Sequence, residues 1–471
     1  MKSIFPIIAL VLVGCSADPP ENGLNEKIPK SFPVRWAATP EAQAGIDSHW
    51  VGHIGGSKAE SLVNEAFRKN PDMRVAAERV SRAVAAAATA GAAMNPQITA
   101  GLNANRQEQI FVGLPIGDGN GIPSAIFENF GANFTVAWEP DVWGYRRAGQ
   151  AALKADAQAE WNAWRAARAS LAAQVMRSWL ALAEANEQIG LAMETQELLK
   201  STKDIVLDRF NNALAADGGS AAEVRLAESE MATNEALTAQ RQGEQAQALR
   251  QLEVLLGRYP RGTIANAVRL PKIPKRPPAG LPSELLLRRP DILEAERRFA
   301  STESLVKQAN LAFYPSFSIT GTAGASTEVF RRIFNSDFGV WSLAGGLTQS
   351  IWAGGQLKSE KTRITSNMRS NLAKLQSTVM KAFGEVEQAL AAERFLMARE
   401  AAISKALKSA EEASDAAASE YSSGIGDALT LITAQGNRIA LASQKVTLKR
   451  LILDNRITLH LALGGDYKPR K

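Results

Sequence analysis

The chain has 471 residues, 45% of them hydrophobic, and its 54 Lys and Arg against 48 Asp and Glu give a formal net charge of +6. Because this charge is mild for the length and the basic residues are scattered, the sequence indicates no nucleic-acid partner. The single cysteine excludes an internal disulfide framework and any paired-cysteine zinc site.

The first predicted element is an export signal. Residues 4–13 form an apolar run that is too short to be a permanent transmembrane helix. The run ends in the motif LVGC, which resembles the bacterial lipobox, where the cysteine receives lipid and becomes the new N-terminus after cleavage. We therefore expect residues 1–14 to be a signal peptide that is cleaved before Cys15. An ordinary signal peptide with a chance cysteine is the alternative.

Cys15 is expected to carry covalent lipid, an S-diacylglycerol and an N-palmitoyl group, and no other cofactor is expected. Lipoproteins with Asp after the cysteine tend to stay in the inner membrane. The residue here is Ser16, which favours the outer membrane. Residues 15–58 are expected to be an extended segment behind the lipid.

From residue 59 onwards the chain carries two copies of one plan. Each copy opens with a Pro-bounded helical stretch, and the spacings from Pro71 to Pro96 and from Pro290 to Pro315 are both 25 residues. Two short alternating segments and two long helices follow in each copy. The expected boundaries are a first copy at 59–257, a Pro-rich linker at 258–282, a second copy at 283–465 and a tail at 466–471.

Four short segments alternate apolar and polar residues with the period of two that indicates a strand with one apolar face. Each is about nine residues or a little longer, a length that crosses a bilayer when tilted. The polar face is small and uncharged, as a water-filled lumen permits. The expected strands are 97–105, 129–138, 316–324 and 339–351. A soluble, half-buried sheet is the alternative.

Four strands cannot close a barrel, and open sheet edges are not tolerated in lipid. Since small membrane barrels need about eight strands, the pattern predicts an oligomer. Three subunits would supply twelve strands, but the sequence leaves the number of subunits open.

Two long polar runs carry almost nothing that breaks a helix, and their length of about 65 to 70 residues corresponds to roughly 100 Å. Each returns through a shorter helix, so a long helix must also stack on another segment. The expected helices are 146–214, 221–256, 356–421 and 427–463.

The last helix carries two opposite apolar stripes with a spacing of seven residues. Strict sevens favour coiled-coil packing, and two opposite seams suit a helix held between neighbours in the wall of a cylinder. An ordinary bundle with one broad stripe per helix is the alternative. The stripes are Ile432, Ile439, Val446 and Leu453, and Ala434, Leu441 and Leu448.

Patterns of catalysis and metal binding are missing from the sequence. His49 and His53 could share a helix face, but no third ligand stands out. The stretch 118–121 resembles a calcium loop only faintly, because Ile122 stands where an oxygen ligand is wanted. Without a phosphate loop or a nucleophile elbow, no enzyme is expected.

Motifs in both copies resemble one family, and the most specific is LPSELLLRRPDI at 281–292. Others are WEPDVWG at 138–144, AFYPSFSITG at 312–321, DALTLITAQ at 427–435 and the ending LALGG at 461–465. Together they resemble the outer-membrane efflux lipoproteins of the TolC family, NodT/OprM type, over nearly the whole chain. The signature residues are Leu281, Pro282, Arg289, Pro290, Asp291 and Pro315.

The resemblance implies an α+β fold, in which an internally repeated protomer of strands and long helix hairpins trimerises. Twelve strands would form a transmembrane β-barrel, continued by a long periplasmic α-helical barrel. The implied function is a passive, lipid-anchored exit channel in the outer membrane of a Gram-negative bacterium, which conducts drugs or other small solutes. The implied partners are two further copies of the chain, a periplasmic adaptor, an inner-membrane RND-type pump and outer-membrane lipid.

The resemblance also implies an iris at the periplasmic helix turns, here 213–223 and 421–429. Asp427 falls where an acidic residue near the constriction is expected, and Asp208 and Arg209 lie one turn before the first tip. A plain helix N-cap is the alternative role for Asp427.

Two other functions remain open at the level of sequence. One is the exit duct of a type I protein-secretion system, which would have the same fold. The other is a lipid-tethered periplasmic coiled-coil scaffold without a pore. The alternating strands argue against the scaffold, and the lipobox with the 281–292 motif favours efflux.

Overall fold

The computed structural model describes residues 36–38, 49–112, 124–211, 220–264, 269–277 and 282–465. Some of the predictions made from the sequence concern residues outside these ranges. They are Cys15, the stretch 118–121, Leu281, the tail 466–471 and most of the first helix turn.

The described chain is mainly helical. The long helices α3 and α7 have 67 residues each, and the returning helices α4 and α8 have 35 each. None of the helices in the described part combines the length and apolar character that a membrane-crossing helix needs. The helices are α1 Trp50–Lys69, α2 Pro71–Ala92, α3 Tyr145–Asn211, α4 Ala221–Leu255, α5 Pro282–Arg288, α6 Pro290–Leu311, α7 Gln356–Ser422 and α8 Ala428–Ala462.

The expectation that residues 15–58 are extended is wrong for residues 50–58, which form the first part of α1. Trp50, Val51 and Ile54 are buried there, and the free energy of burying them outweighs the weak helix propensity of the glycines nearby. Gly56 interrupts the helix with a φ of 67°, a conformation that glycine adopts without steric penalty.

The four strands form one antiparallel sheet in the order β1-β2-β3-β4. Three strands are longer than predicted, because backbone pairing continues past the apolar alternation, as far as Ile110 opposite Ser124 and Phe130 opposite Thr327. The fourth strand is shorter, because Ser316 at the start of its partner pairs with Thr348 and nothing remains for residues 349–351 to pair with. The strands are β1 Gln97–Ile110, β2 Ser124–Trp138, β3 Ser316–Thr327 and β4 Gly339–Thr348.

The chain divides into two compact units, and each draws on both sequence copies. The first contains residues 80–160 and 295–375, with all four strands, and the second contains residues 161–294 and 376–471 with part of the N-terminal region. The sheet explains the sharing in the first unit, because β2 of one copy pairs with β3 of the other along nine residue pairs from Phe130 to Trp138.

The largest hydrophobic core lies in the second unit. It joins α1 to α3, α4 and α8, and it contains fully buried Trp50, Met176, Leu180, Leu252 and Leu453. Burying side chains of this size contributes about 1.5–3 kcal/mol each, so this cluster anchors the helices of the unit.

Helix α8 lies between α3 and α7, so it has neighbours on two sides. Towards α3, the Gln188 side chain donates to the Ser443 carbonyl at 3.0 Å. Towards α7, the Asn455 side chain donates to the Ala389 carbonyl at 3.1 Å. Ile432 and Leu453 of one stripe and Leu448 of the other are buried, as two opposite packing seams require.

Candidate functional site: the exposed sheet and the helix turn

The register of the sheet places the apolar residues of all four strands on one face. Ala100 lies opposite Phe134, Phe134 opposite Ala323, and Ala323 opposite Trp341. Other members of this face are Ile98, Leu102, Ala104, Phe130, Val136, Phe317, Ile319, Leu343 and Leu347. This face is continuous, and we call it the apolar face.

The other face carries small, uncharged polar side chains. Thr99 lies opposite Thr135, Thr135 opposite Thr322, and Thr322 opposite Ser342. Ser326 donates to the Asn129 side chain across strands at 3.0 Å. Such a face suits contact with water, and we call it the polar face.

The apolar face is open over most of its area in the protomer, and within the described residues it is covered only at its ends, where Phe330 contacts Phe130 and Trp143 contacts Phe317. Leu102 is 85% exposed, Trp341 80%, Leu343 72% and Phe134 64%. An exposed apolar surface of this extent marks contact with a membrane or another protein. The apolar band on β1 covers about nine residues, or about 30 Å along the strand, which at a tilt of about 40° spans the roughly 25 Å of a barrel's apolar band.

Aromatic rings cluster where the sheet leads into α3. The ring centre of Trp143 lies 5.4 Å from that of Tyr314 and 6.4 Å from that of Phe317. The Trp143 Nε1 donates to the carbonyl of Pro315 at 2.8 Å. Half-exposed Trp and Tyr are typical of a membrane–water boundary. The other end of the apolar band is marked by an ion pair. Arg106 and Glu128 lie opposite each other, two positions beyond the pair of Ala104 and Phe130, and their charged groups are 3.1 Å apart.

The specific motif before α6 has a structural role in the second unit. The Arg289 side chain is 8% exposed and bonds the Asp291 carboxylate at 2.7 Å, the Ala462 carbonyl at 3.0 Å and the Glu385 carboxylate at 2.7 Å. Burial lowers the pKa of Arg289, but the two carboxylates more than offset it, so the pKa lies above its usual value. Arg289 therefore fastens the start of α6 to the end of α8 and to α7, while Pro290 begins α6.

The turn between α7 and α8 is ordered by backbone bonds. The amides of Ile425 and Gly426 donate to the Glu420 carbonyl at 3.0 and 3.1 Å. Gly424 has a φ of 81°, which closes the end of α7 as glycine commonly does. Ile425 is 84% exposed at this turn.

Asp427 is the N-cap of α8. Its carboxylate accepts the Thr430 amide at 2.8 Å and the Thr430 hydroxyl at 2.7 Å. These two bonds hold the pKa of Asp427 below its usual value, since they favour the charged form. Asp427 is exposed, so capping leaves its charge facing solvent.

Arg209 binds Tyr421 rather than Asp427. Its guanidinium lies 4.5 Å above the centre of the Tyr421 ring and donates to the Tyr421 carbonyl at 3.1 Å. Tyr421 is 1% exposed and packs with Val206, Ala428 and Leu431. Burial, together with the Glu223 carboxylate, raises the pKa of Tyr421. This contact joins the end of α3 to the end of α7.

Asp208 does not join this contact. It is exposed and lines a hollow of about 530 Å³ beside the end of α3, together with Lys200 and Asp204. The N-terminus of α4 is closed by a capping box, in which Ser220 and Glu223 bond each other's backbone amides at 3.2 and 3.3 Å.

Comparison with known proteins identifies the family. The family model described as "Outer membrane efflux protein" matches residues 62–258 and 281–465. The chain belongs to the outer membrane efflux protein family. The two matched segments coincide with the two sequence copies and leave out the Pro-rich linker.

Curated members of this family resemble the chain over its whole length. The pyoverdine export outer membrane protein OpmQ of Pseudomonas aeruginosa is 27% identical over 99% of this chain and 98% of its own. The cation efflux system protein CusC of Escherichia coli K12 is 25% identical over 97% of this chain and 98% of its own.

Solved structures of efflux channels share the fold. The outer-membrane channel OprN superposes with a TM-score of 0.86 at 23% identity, covering 96% of this chain and 99% of that one. The open-state MtrE channel of Neisseria gonorrhoeae has a TM-score of 0.82 at 24% identity, with the same coverage.

The predictions of the family, of an efflux channel and of an outer-membrane location in a Gram-negative bacterium are thereby confirmed. The efflux family is one of transport proteins, and the secretion-duct and scaffold alternatives are not favoured. The sequence did not single out Tyr421 as the partner of Arg209. The only signal was that Tyr421 and Phe210 occupy matching places in the two copies.

A second contact that the sequence did not suggest involves Trp36 and Glu387. The amides of Ala37 and Ala38 donate to the two carboxylate oxygens of Glu387 at 2.7 and 2.9 Å. The Trp36 ring is buried, with its centre 5.9 Å from that of Phe383. This short segment is therefore fastened to α7.

Proposed function

We propose that three copies of the chain close a twelve-stranded barrel, continued by a helical tunnel, and that this assembly is a passive exit duct. The observation that carries the proposal is the continuous, exposed apolar face on a four-stranded sheet whose edge strands, β1 and β4, pair with nothing else in the described residues. In lipid such edges must be paired. Three copies of the sheet supply twelve strands, an even number within the range of closed membrane barrels.

Conductance tests the barrel directly. The purified protein is expected to run as a trimer after chemical cross-linking and to open stepwise ion currents in a planar bilayer. A folded protein that stays monomeric and gives no current would contradict the proposal.

The partners proposed for the duct are a periplasmic adaptor and an inner-membrane RND-type pump. The names of the relatives cite unlike cargoes, pyoverdine, cations and antibiotics. Unlike cargoes on one fold support a duct that leaves selection to the pump. We propose drugs or other small solutes as the cargo of this chain.

Co-purification of the cross-linked trimer with the adaptor encoded beside it tests the assembly. An ATP-driven transporter encoded beside the chain, in place of an RND-type pump, would support the secretion duct instead.

The turn at the end of α7 is the proposed periplasmic gate. Arg209 of α3 contacts both the ring and the carbonyl of Tyr421 at the end of α7, beside the apolar contact of Val206 with Tyr421. A cation–π contact of this kind contributes about 0.5–2 kcal/mol, which is small enough for opening on demand. Asp427 would add a negative charge at the constriction.

Replacing Arg209 with Gln is expected to raise the resting conductance, because it removes the cation above the Tyr421 ring. The measurement is the single-channel current in planar bilayers. Arg225→Gln is the matched control, since Arg225 is exposed and its one ion pair within the described part of the chain is with nearby Glu228. Equal resting currents in wild type and Arg209→Gln would remove this contact from the gate.

Two variants separate the charge of Asp427 from its capping role. Asp427→Asn keeps an N-cap side chain and removes the charge, whereas Asp427→Ala removes both. If the charge shapes the constriction, both variants are expected to change conductance and susceptibility to large antibiotics. If only Asp427→Ala has an effect, Asp427 is a cap. Unchanged behaviour in both would take it out of the gate.

Cys15 is the proposed site of the S-diacylglycerol and N-palmitoyl groups. Because an inserted barrel is held far more firmly than a lipid chain holds a protein, Cys15→Ser is expected to leave a conducting trimer in the outer membrane and to abolish incorporation of labelled palmitate. Fractionation of the membranes measures the trimer in the outer membrane, and the label in the purified protein measures the palmitate. Loss of the trimer from the outer-membrane fraction would show that the lipid is essential.

A further inference from the structure

The loop that joins β3 to β4 has a defined conformation. It contains two short 3-10 turns, Phe330–Arg332 and Ser336–Phe338. Thr327 is buried and its hydroxyl accepts the Val329 amide at 3.2 Å. Ile333 is 6% exposed and fixes the middle of the loop. Connections β2–α3 and β4–α7 leave the sheet at one end, so this loop lies at the other end.

The loop folds towards the apolar face rather than over the polar one. The Phe330 ring meets the Phe130 ring edge to face, with the centres 5.7 Å apart. Phe130 belongs to the apolar face, since it lies two and four residues before Ala132 and Phe134 in β2. Phe330 is 65% exposed and Phe334 94%, so the loop extends the apolar face with the Phe330 ring and exposes a second aromatic ring four residues later.

Two adjacent arginines lie between these two phenylalanines in the sequence. Arg331 and Arg332 are exposed, and within the described residues neither side chain makes an ion pair. Glu328 and Asp337 in the same loop balance the charge of the two arginines. The loop as a whole therefore does not attract anions, and binding of an anion depends on direct contact with the two guanidinium groups. Guanidinium groups bind phosphate with two parallel hydrogen bonds. Adjacent aromatic and basic side chains are the composition of a surface that lies at lipid headgroups.

We propose that this loop binds the phosphate-bearing glycolipid of the outer leaflet, lipopolysaccharide. Phe330 and Phe334 lie at the boundary of its acyl chains, and Arg331 and Arg332 bind its phosphates. This rests on the proposed function, because the loop faces the outer leaflet only if the sheet is part of a barrel whose helices lie in the periplasm. Each arginine contributes about fivefold to the affinity for an anionic lipid surface.

The test compares lipid A with two phosphates and lipid A with one. Native mass spectrometry of the detergent-solubilised protein counts the bound lipid at each concentration. Wild type is expected to prefer the form with two phosphates, and Arg331→Gln/Arg332→Gln to lose about 25-fold in affinity for it. Phe334→Ser is expected to weaken binding of both forms alike, since it removes a contact with acyl chains.

The matched control is Arg74→Gln/Arg79→Gln, which removes two exposed charges from α2 and is expected to bind as wild type does. Lipid binding by the loop variant equal to that of wild type would overturn the proposal, as would a wild type without preference between the two lipids.

Conductance in phosphatidylcholine bilayers separates this proposal from the proposed function. If wild type and the loop variant conduct equally and also bind lipid A equally, the duct stands and only the loop proposal is overturned. No current from wild type would overturn both.

Discussion

Leu343→Arg is expected to abolish assembly in the outer membrane. Leu343 is 72% exposed on the apolar face of β4, opposite Gly321 of β3. An arginine facing lipid near the middle of the bilayer costs about 2–4 kcal/mol, and a trimer would carry three of them. The measurement is the amount of trimer in outer-membrane fractions, together with the urea concentration at which the refolded protein leaves lipid vesicles.

Ser342→Arg is the matched control, one residue away on the same strand. Ser342 lies opposite Thr322 on the polar face, so its arginine would stand in the water-filled lumen. This variant is expected to insert as wild type does and to reduce cation current, because it adds positive charge to the conducting path. Normal insertion of Leu343→Arg would show that the apolar face does not meet lipid.

The faces of the sheet were predictable because the alternation of side chains is a local property of a strand. Phe134 and Asn133 must point to opposite sides whatever their neighbours are. The pairing of β2 with β3 was not predictable, since Trp138 meets Ile319 from the other sequence copy. The ends of the strands were also hidden, because Arg106 and Glu128 break the apolar alternation while their backbones stay paired.

The contacts at the helix turn divide in the same way. The cap at Asp427 was predictable, because an N-cap needs only its own helix and the Thr430 three residues later. The contact of Arg209 with Tyr421 joins residues 212 positions apart, and no local pattern carries that information. The family resemblance pointed to these helix turns, but it gave no partner for Arg209.

Removal of Glu393 is expected to destabilise the second unit strongly. The Glu393 carboxylate lies 2.8 Å from the Arg456 guanidinium, and both side chains are 5% exposed. Asn455 also donates to Glu393 at 2.9 Å, so the carboxylate joins α7 to α8 twice. Glu393→Ala leaves a buried cation without its partner, at a cost of about 3–5 kcal/mol. Thermal unfolding of the detergent-solubilised protein measures the loss.

Burial lowers the pKa of Arg456, and nearby Arg276 adds to the effect, while Glu393 opposes both. The Nε and Nη1 of Arg456 have no hydrogen-bond partner among the described residues, so the pair is incompletely satisfied. Replacing both charges with apolar residues of similar size, as in Arg456→Met/Glu393→Leu, is therefore expected to recover most of the stability lost in Glu393→Ala, since no charge remains to be desolvated. Glu360→Gln breaks an exposed pair with Arg363 and is expected to have no measurable effect. A double variant as unstable as Glu393→Ala would show that the pair itself stabilises the helices.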